Sequence, residues 1–261
     1  MKNIQSKKIK VDGLDVNYYI AGQGEPLVVI HGGGGDARTW SHNIEELSMY
    51  YTVYAPDLPG YGASQPLAGN YFIPELAKFI DSFSNNLGID RFHLVGHSLG
   101  GGVALNYALE FPHKIKKLVL VSSLCLGREI AFWVRLLSIP AFLRSLGILT
   151  MALLKGIKWL VQTFMEQVEF IMPLSPASVT IGGSITTIKE QTLVLANRLS
   201  EIVMPTLLVW GAKDPIVPVS HAYAAAQVIP HCQVKVFENR GHNVHRDEIT
   251  QFSSVLTGFL G

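Results

Sequence analysis

Apolar residues along this chain fall into short runs separated by longer mixed segments, and two periods alternate. KIKVDGLDVNYY (8–19) alternates apolar with polar positions around Asp12-Gly13, the pattern of a β-hairpin with a two-residue turn. Continuous apolar runs follow at PLVVI (26–30), TVYAP (52–56), FHLVG (92–96), KLVLVS (117–122) and TLLVW (206–210), with a more polar run at QVKVF (233–237). Short runs without alternation are strands covered on both faces. Between them, IPELAKFIDSFSNNLG (73–88) and VALNYALEF (103–111) carry apolar residues at helical spacing. Strands alternating with helices predict an α/β fold. A mostly parallel central sheet is flanked by helices, and the loops at its strand C-termini are available for chemistry.

The rhythm breaks once. From about 124 to 200 no strand-like run occurs, and REIAFWVRLLS, PAFLRSLGILTMALLKG and IKWLVQTFMEQVEF read as helices. The expected organisation is a core of residues 1–123 and 201–261 with a helical cap at 124–200 inserted over the C-terminal edge of the sheet. Between Ala131 and Phe164 the cap is dominated by apolar residues, interrupted by Arg135, Arg144, Lys155 and Lys158. That composition fits an apolar face packed on the core, a basic amphipathic segment resting on a membrane surface, or an apolar tunnel above the site.

Composition narrows the function classes. Of 261 residues, 48% are hydrophobic and 16% charged, which supports a large core and excludes global disorder. The net charge of +1 gives no general attraction for nucleic acid. Cys125 and Cys232 are too few for a disulfide framework, and no Cys/His cluster has metal-ligand spacing. MKNIQSKKIKVDG lacks the apolar stretch of a signal peptide, and no apolar run reaches the roughly 18 residues of a membrane span. A cytoplasmic protein without stable membrane insertion is expected.

The candidate chemistry sits at the ends of the apolar runs. Gly96-His97-Ser98-Leu99-Gly100 fits G-x-S-x-G between a strand and a helix, a tight turn that would project Ser98 as a nucleophile. A serine hydroxyl needs a base, and the base needs an orienting acid. Asp214 in TLLVWGAKDPIVP lies just past one buried run, and His242 in QVKVFENRGHNVHRDE lies in a loop past the last. The order Ser98, Asp214, His242 is nucleophile, acid, base. His31-Gly32-Gly33-Gly34-Gly35 follows PLVVI and suits an oxyanion hole, with the backbone N–H groups of Gly33 and Leu99 as donors. His31 is expected to brace that loop, and His97 to pack or hydrogen-bond within the elbow. His245 is a rival base, Cys125 a small apolar residue near the site entrance, and Trp40 and Trp133 either core or pocket lining.

These residues together resemble a capped α/β-hydrolase over nearly the full length. HGGGG (31–35), DLPGYGAS (57–64), GHSLGG (96–101), WGAKDPIVP (210–218) and GHNVHRDE (241–248) stand in family order. The resemblance implies a serine hydrolase that cleaves an ester or related acyl bond of a small apolar molecule, with no cofactor and no metal. It gives DLPGYGAS a structural role near the site. Serine at position 98 argues against dehalogenases and epoxide hydrolases of this fold, which carry aspartate there. Carbon–carbon hydrolases of ring-cleavage products share the oxyanion loop and triad but place an aromatic residue after the catalytic histidine, where this chain has Asn243. The same triad also fits cofactor-free haloperoxidase or perhydrolase activity, and the same scaffold fits a non-catalytic ligand receptor.

Overall fold

The structure, a computed structural model, describes residues 4–67, 72–135 and 189–261, without the side chain of Trp133. Most of the expected cap, residues 136–188, therefore lies outside the described residues. Among those described, eight strands form one sheet in the order β1-β2-β4-β3-β5-β6-β7-β8. β1 (Gln5–Val11) and β2 (Leu14–Ala21) are the predicted hairpin, paired antiparallel from Val11↔Leu14 outward. Asp12 and Gly13 both take positive φ, as the two-residue turn requires. β2 also pairs antiparallel with β4 (Tyr51–Pro56). The rest are parallel: β3 (Glu25–Ile30), β5 (Phe92–His97), β6 (Ile115–Val121), β7 (Thr206–Gly211) and β8 (Cys232–Phe237).

The apolar runs lack polar alternation because both sheet faces are covered. Leu118, Leu120, Leu208 and Trp210 point to one face and join a core with α2 (Ile73–Asn86) and α3 (Leu99–Glu110). Val119, Val121, Leu207 and Val209 alternate with them, facing a second core with α1 (Ser41–Leu47) and the C-terminal helix Ile249–Leu260. α2 buries Ile73, Leu76, Ala77, Ile80 and Phe83, the stripe expected of a surface helix. Glu248 ends the preceding short helix, Val244–Asp247, and caps Ile249–Leu260.

The chain on either side of residues 136–188 is tied to the core. Leu124 N–H donates to the Ser98 carbonyl at 3.1 Å, so the chain leaving β6 is bonded to the elbow itself. On the returning side, buried Gln191 accepts from Cys125 N–H through Oε1 at 2.8 Å and donates through Nε2 to the carbonyls of Gly127 (2.9 Å) and Glu129 (3.2 Å). One amide side chain thus closes both ends of the segment. Within the described residues these flanking stretches have the short helix Phe132–Arg135 and a 3-10 turn at Ala196–Glu201. None of the described helices is long and apolar enough to cross a membrane.

Asp57 organises the other side of the site. Its buried carboxylate accepts from Asn17 Nδ2 (2.9 Å), Ala63 N–H (3.0 Å) and Ala37 N–H (2.9 Å). The first contact lies on β2, the second in the DLPGYGAS loop, and the third just past the glycine loop that follows β3. DLPGYGAS is thus a structural loop beside that glycine run. Asp57→Ala would leave two buried donors, Asn17 Nδ2 and Ala37 N–H, without their acceptor, each costing about 1–3 kcal/mol. Its Tm should fall by roughly 4–24 °C, measured by circular dichroism, since each kcal/mol is worth about 2–4 °C in a domain of this size.

Candidate active site

Parallel pairing brings the loops after β3, β5, β7 and β8 to one edge of the sheet, and the candidate residues sit in those loops. Ser98 occupies φ 53°, ψ −113°, a left-handed conformation that costs a non-glycine residue about 1–3 kcal/mol. Its neighbours hold it there: Ser98 N–H donates to the Val121 carbonyl at 2.9 Å, and Gly102 N–H to the Ser98 carbonyl at 3.1 Å. The flanking glycines are forced by backbone contact. A Cβ on Gly96 would strike the Gly100 carbonyl, and one on Gly100 would lie 2.5 Å from the carbonyl oxygens of Ile30 and His31. Helix α3 starts directly at Leu99, four residues earlier than the periodicity predicts, because three glycines mask its first turn.

Asp214 and His242 meet. His242 Nδ1 lies 2.8 Å from Asp214 Oδ2, and Asp214 Oδ1 accepts from the N–H groups of Ile216 (2.8 Å) and Val217 (3.0 Å). The Asp214 side chain is fully shielded from solvent. Burial by itself would raise its pKa, but the His242 hydrogen bond, the His242 charge and the two amides outweigh it and hold the carboxyl below its usual value. An ionised carboxylate only accepts, so Nδ1 carries the hydrogen and Nε2 presents its lone pair. Pro215 fixes the turn, and Trp210 Nε1 donates to the Val217 carbonyl at 3.0 Å, anchoring its far end.

Gly33 and Leu99, the two expected donors, are adjacent: a Cβ on Gly33 would lie 3.5–3.6 Å from the Leu99 side chain and 3.7 Å from the Tyr61 hydroxyl. The tighter position is Gly32, where a Cβ would stand 2.8 Å from His97 Nδ1 and 3.3 Å from Ser98 Cβ. The glycine run signals a close approach, yet which of its members makes it is decided by the elbow.

The remaining histidines divide by their contacts. His31 is buried and uses both nitrogens: Nε2 accepts from Leu58 N–H at 3.0 Å, so Nδ1 donates to the Gly32 carbonyl at 2.8 Å. Burial pushes its pKa down and keeps it neutral. His31 therefore braces the glycine loop. His245 is fully buried, and among the described residues neither of its ring nitrogens has a hydrogen-bond partner. It packs at a tilt against Trp40, at 4.4 Å between centroids, and His97, at 4.3 Å. It is no rival base, and Trp40 is core. Cys125 is buried, with its thiol pushed up to about 12 by that burial, so it is an inert packing residue.

Comparisons with known proteins agree with this architecture. The model of the alpha/beta hydrolase fold family matches residues 25–143 and 188–248. The chain is 32% identical to a dihydrolipoyllysine-residue acetyltransferase component of an acetoin cleaving system from Cupriavidus necator, over 96% of this chain and 68% of the other. It is 29% identical to a 2-hydroxy-6-oxo-6-phenylhexa-2,4-dienoate hydrolase from Burkholderia cepacia, over 92% and 89%. A thermophilic esterase from Thermogutta terrifontis superposes with a TM-score of 0.75 at 22% identity, covering 98% of each chain, a likeness of fold. With the elbow glycines, the sheet order and the family match in agreement, the chain belongs to the alpha/beta hydrolase fold family.

Proposed function

We propose that this chain is a cytoplasmic serine hydrolase that cleaves an ester or related acyl bond of a small apolar substrate under its helical cap. The observation that carries the reading is the 2.8 Å contact of His242 with Asp214, beside a serine held in a strained elbow. Ser98 Oγ attacks the acyl carbon while His242 Nε2 takes its proton. The carbonyl oxygen becomes an oxyanion facing the N–H groups of Gly33 and Leu99. His242 returns the proton to the leaving alcohol, leaving an acyl-serine. Water then repeats the sequence, losing its proton to His242 and releasing the acid and free Ser98. Asp214 stays ionised and steadies the imidazolium in both halves.

A second reading has its own support, the similarity to a hydrolase named for a phenylhexadienoate substrate. Cleavage of a carbon–carbon bond uses the same three residues. Asn243 in place of an aromatic residue weighs against it. Turnover of a ring-cleavage dienoate faster than of any simple ester would decide for it.

Ser98→Ala and His242→Ala should each lower kcat for p-nitrophenyl esters by roughly 10³-fold or more with unchanged Tm, and Asp214→Asn by somewhat less. Near-parental turnover in Ser98→Ala would sink the proposal. In Gly33→Val the first added carbon has room at 3.5–3.7 Å, so folding should survive. The branched side chain then sits where the oxyanion forms, and kcat should drop by about 10²-fold; full activity would place the hole elsewhere. Across an ester series, kcat/KM should rise from acetyl to medium-chain or aromatic acyl groups, as each buried methylene contributes about 0.8 kcal/mol at most. A strict preference for acetyl would show a small pocket instead.

A further inference from the structure

His97 is a buried titratable group that the acyl-transfer chemistry does not use. It is the last residue of β5, directly before Ser98, and is 6% exposed. Its Nε2 lies 2.9 Å from the main-chain carbonyl oxygen of His242. A carbonyl oxygen only accepts, so Nε2 carries the hydrogen and Nδ1 the lone pair. Nδ1 faces the glycine loop, 2.8 Å from where a Cβ on Gly32 would stand. The ring is packed on both sides, 4.8 Å from the His242 centroid and 4.3 Å from that of His245. Burial, reinforced by the neighbouring His242, pulls its pKa down to about 3, so it stays a neutral donor across the neutral range.

The topology explains why such a contact matters. β5 and β8 are separated by β6 and β7, so the strand ends that carry Ser98 and lead to His242 lie three spacings apart, about 14 Å. The loop after β8 must cross back over the sheet edge to bring its imidazole to the nucleophile. The bond from His97 to the His242 carbonyl stands at the end of that crossing. Because His97 and Ser98 are consecutive, nucleophile and base then share one anchor, and the path between them no longer runs through four strands and their loops.

We propose that His97 is a positioning residue whose Nε2–H, by holding the His242 carbonyl, sets the height and angle of the His242 imidazole over Ser98. It packs against Gly32 on its other side, so the same ring keeps the glycine loop in register with the base. The proposal rests on the serine-hydrolase reading.

The test compares His97→Gln, His97→Asn and His97→Leu with the parent and Ser98→Ala, measuring kcat and KM on the best ester and Tm by calorimetry. Glutamine places an amide N–H near the position of Nε2, whereas asparagine places its amide near Nδ1 and does not reach the carbonyl. His97→Asn and His97→Leu should lose about 10–10²-fold in kcat, with KM within about threefold, and His97→Gln should stay within about fivefold of the parent. If His97→Leu does not fold, the asparagine and glutamine variants, matched in polarity, carry the comparison. Equal kcat in these two, whether both high or both low, overturns the role of Nε2–H. Survival of turnover in Ser98→Ala overturns the serine-hydrolase reading and the positioning role together. Loss in Ser98→Ala with an unaffected His97→Asn overturns the positioning role alone.

Discussion

Backbone against backbone at the elbow is the contact on which this architecture depends. Gly100 lies against the carbonyls of Ile30 and His31, and Gly96 against the carbonyl of Gly100. No side chain fits in either place. That approach brings the start of α3 onto the ends of β3 and β5 and leaves Ser98 at positive φ. A strain of about 1–3 kcal/mol at one residue is small against the burial of both sheet faces, which is why the turn persists. Ser98 itself stays half-buried between neighbours that are buried.

Four histidines around this turn show how environment divides one side chain among different tasks. His31 uses both nitrogens to hold the glycine loop, and His97 reaches from the elbow to the His242 carbonyl. His242 turns one nitrogen to Asp214. His245 packs at a tilt against Trp40 and His97, while burial and the adjacent His97 hold its pKa well below the usual value. Desolvation lowers the pKa values of His31, His97 and His245, so these three rings stay neutral.

Two loops near the elbow are each held by a single side chain. Asp57 secures the exit of the glycine loop through Ala37, and Gln191 fastens the chain after β6 across Cys125, Gly127 and Glu129. Glu129 is in turn paired with His221 at 2.7 Å, which links that chain to the helix Ser220–Ala226. Both arrangements use one polar side chain to satisfy two or more backbone groups, the economical way to fix a loop that cannot form a ladder.

The sequence by itself determined the elements whose pattern is local. All seven strand segments it marks, the 8–19 hairpin counted once, coincide with observed strands to within three residues, since continuous apolar runs have few other uses in a sheet covered on both faces. The elbow, the glycine loop and the position of Ser98, Asp214 and His242 just past strand ends were also legible, because tight turns demand glycine and buried runs mark where strands stop. Three helices, Ser41–Leu47, Ser220–Ala226 and Ile249–Leu260, were not. The first two are a turn or two long, and the third is uncharged, with threonine and valine that suit strands equally well. Tertiary structure alone decided that Gly32, rather than Gly33, is the glycine packed against the elbow, that His245 is buried, and that His97 reaches His242. Each of these depends on a contact between segments far apart in the chain, and local spacing carries no record of which loop folds over which.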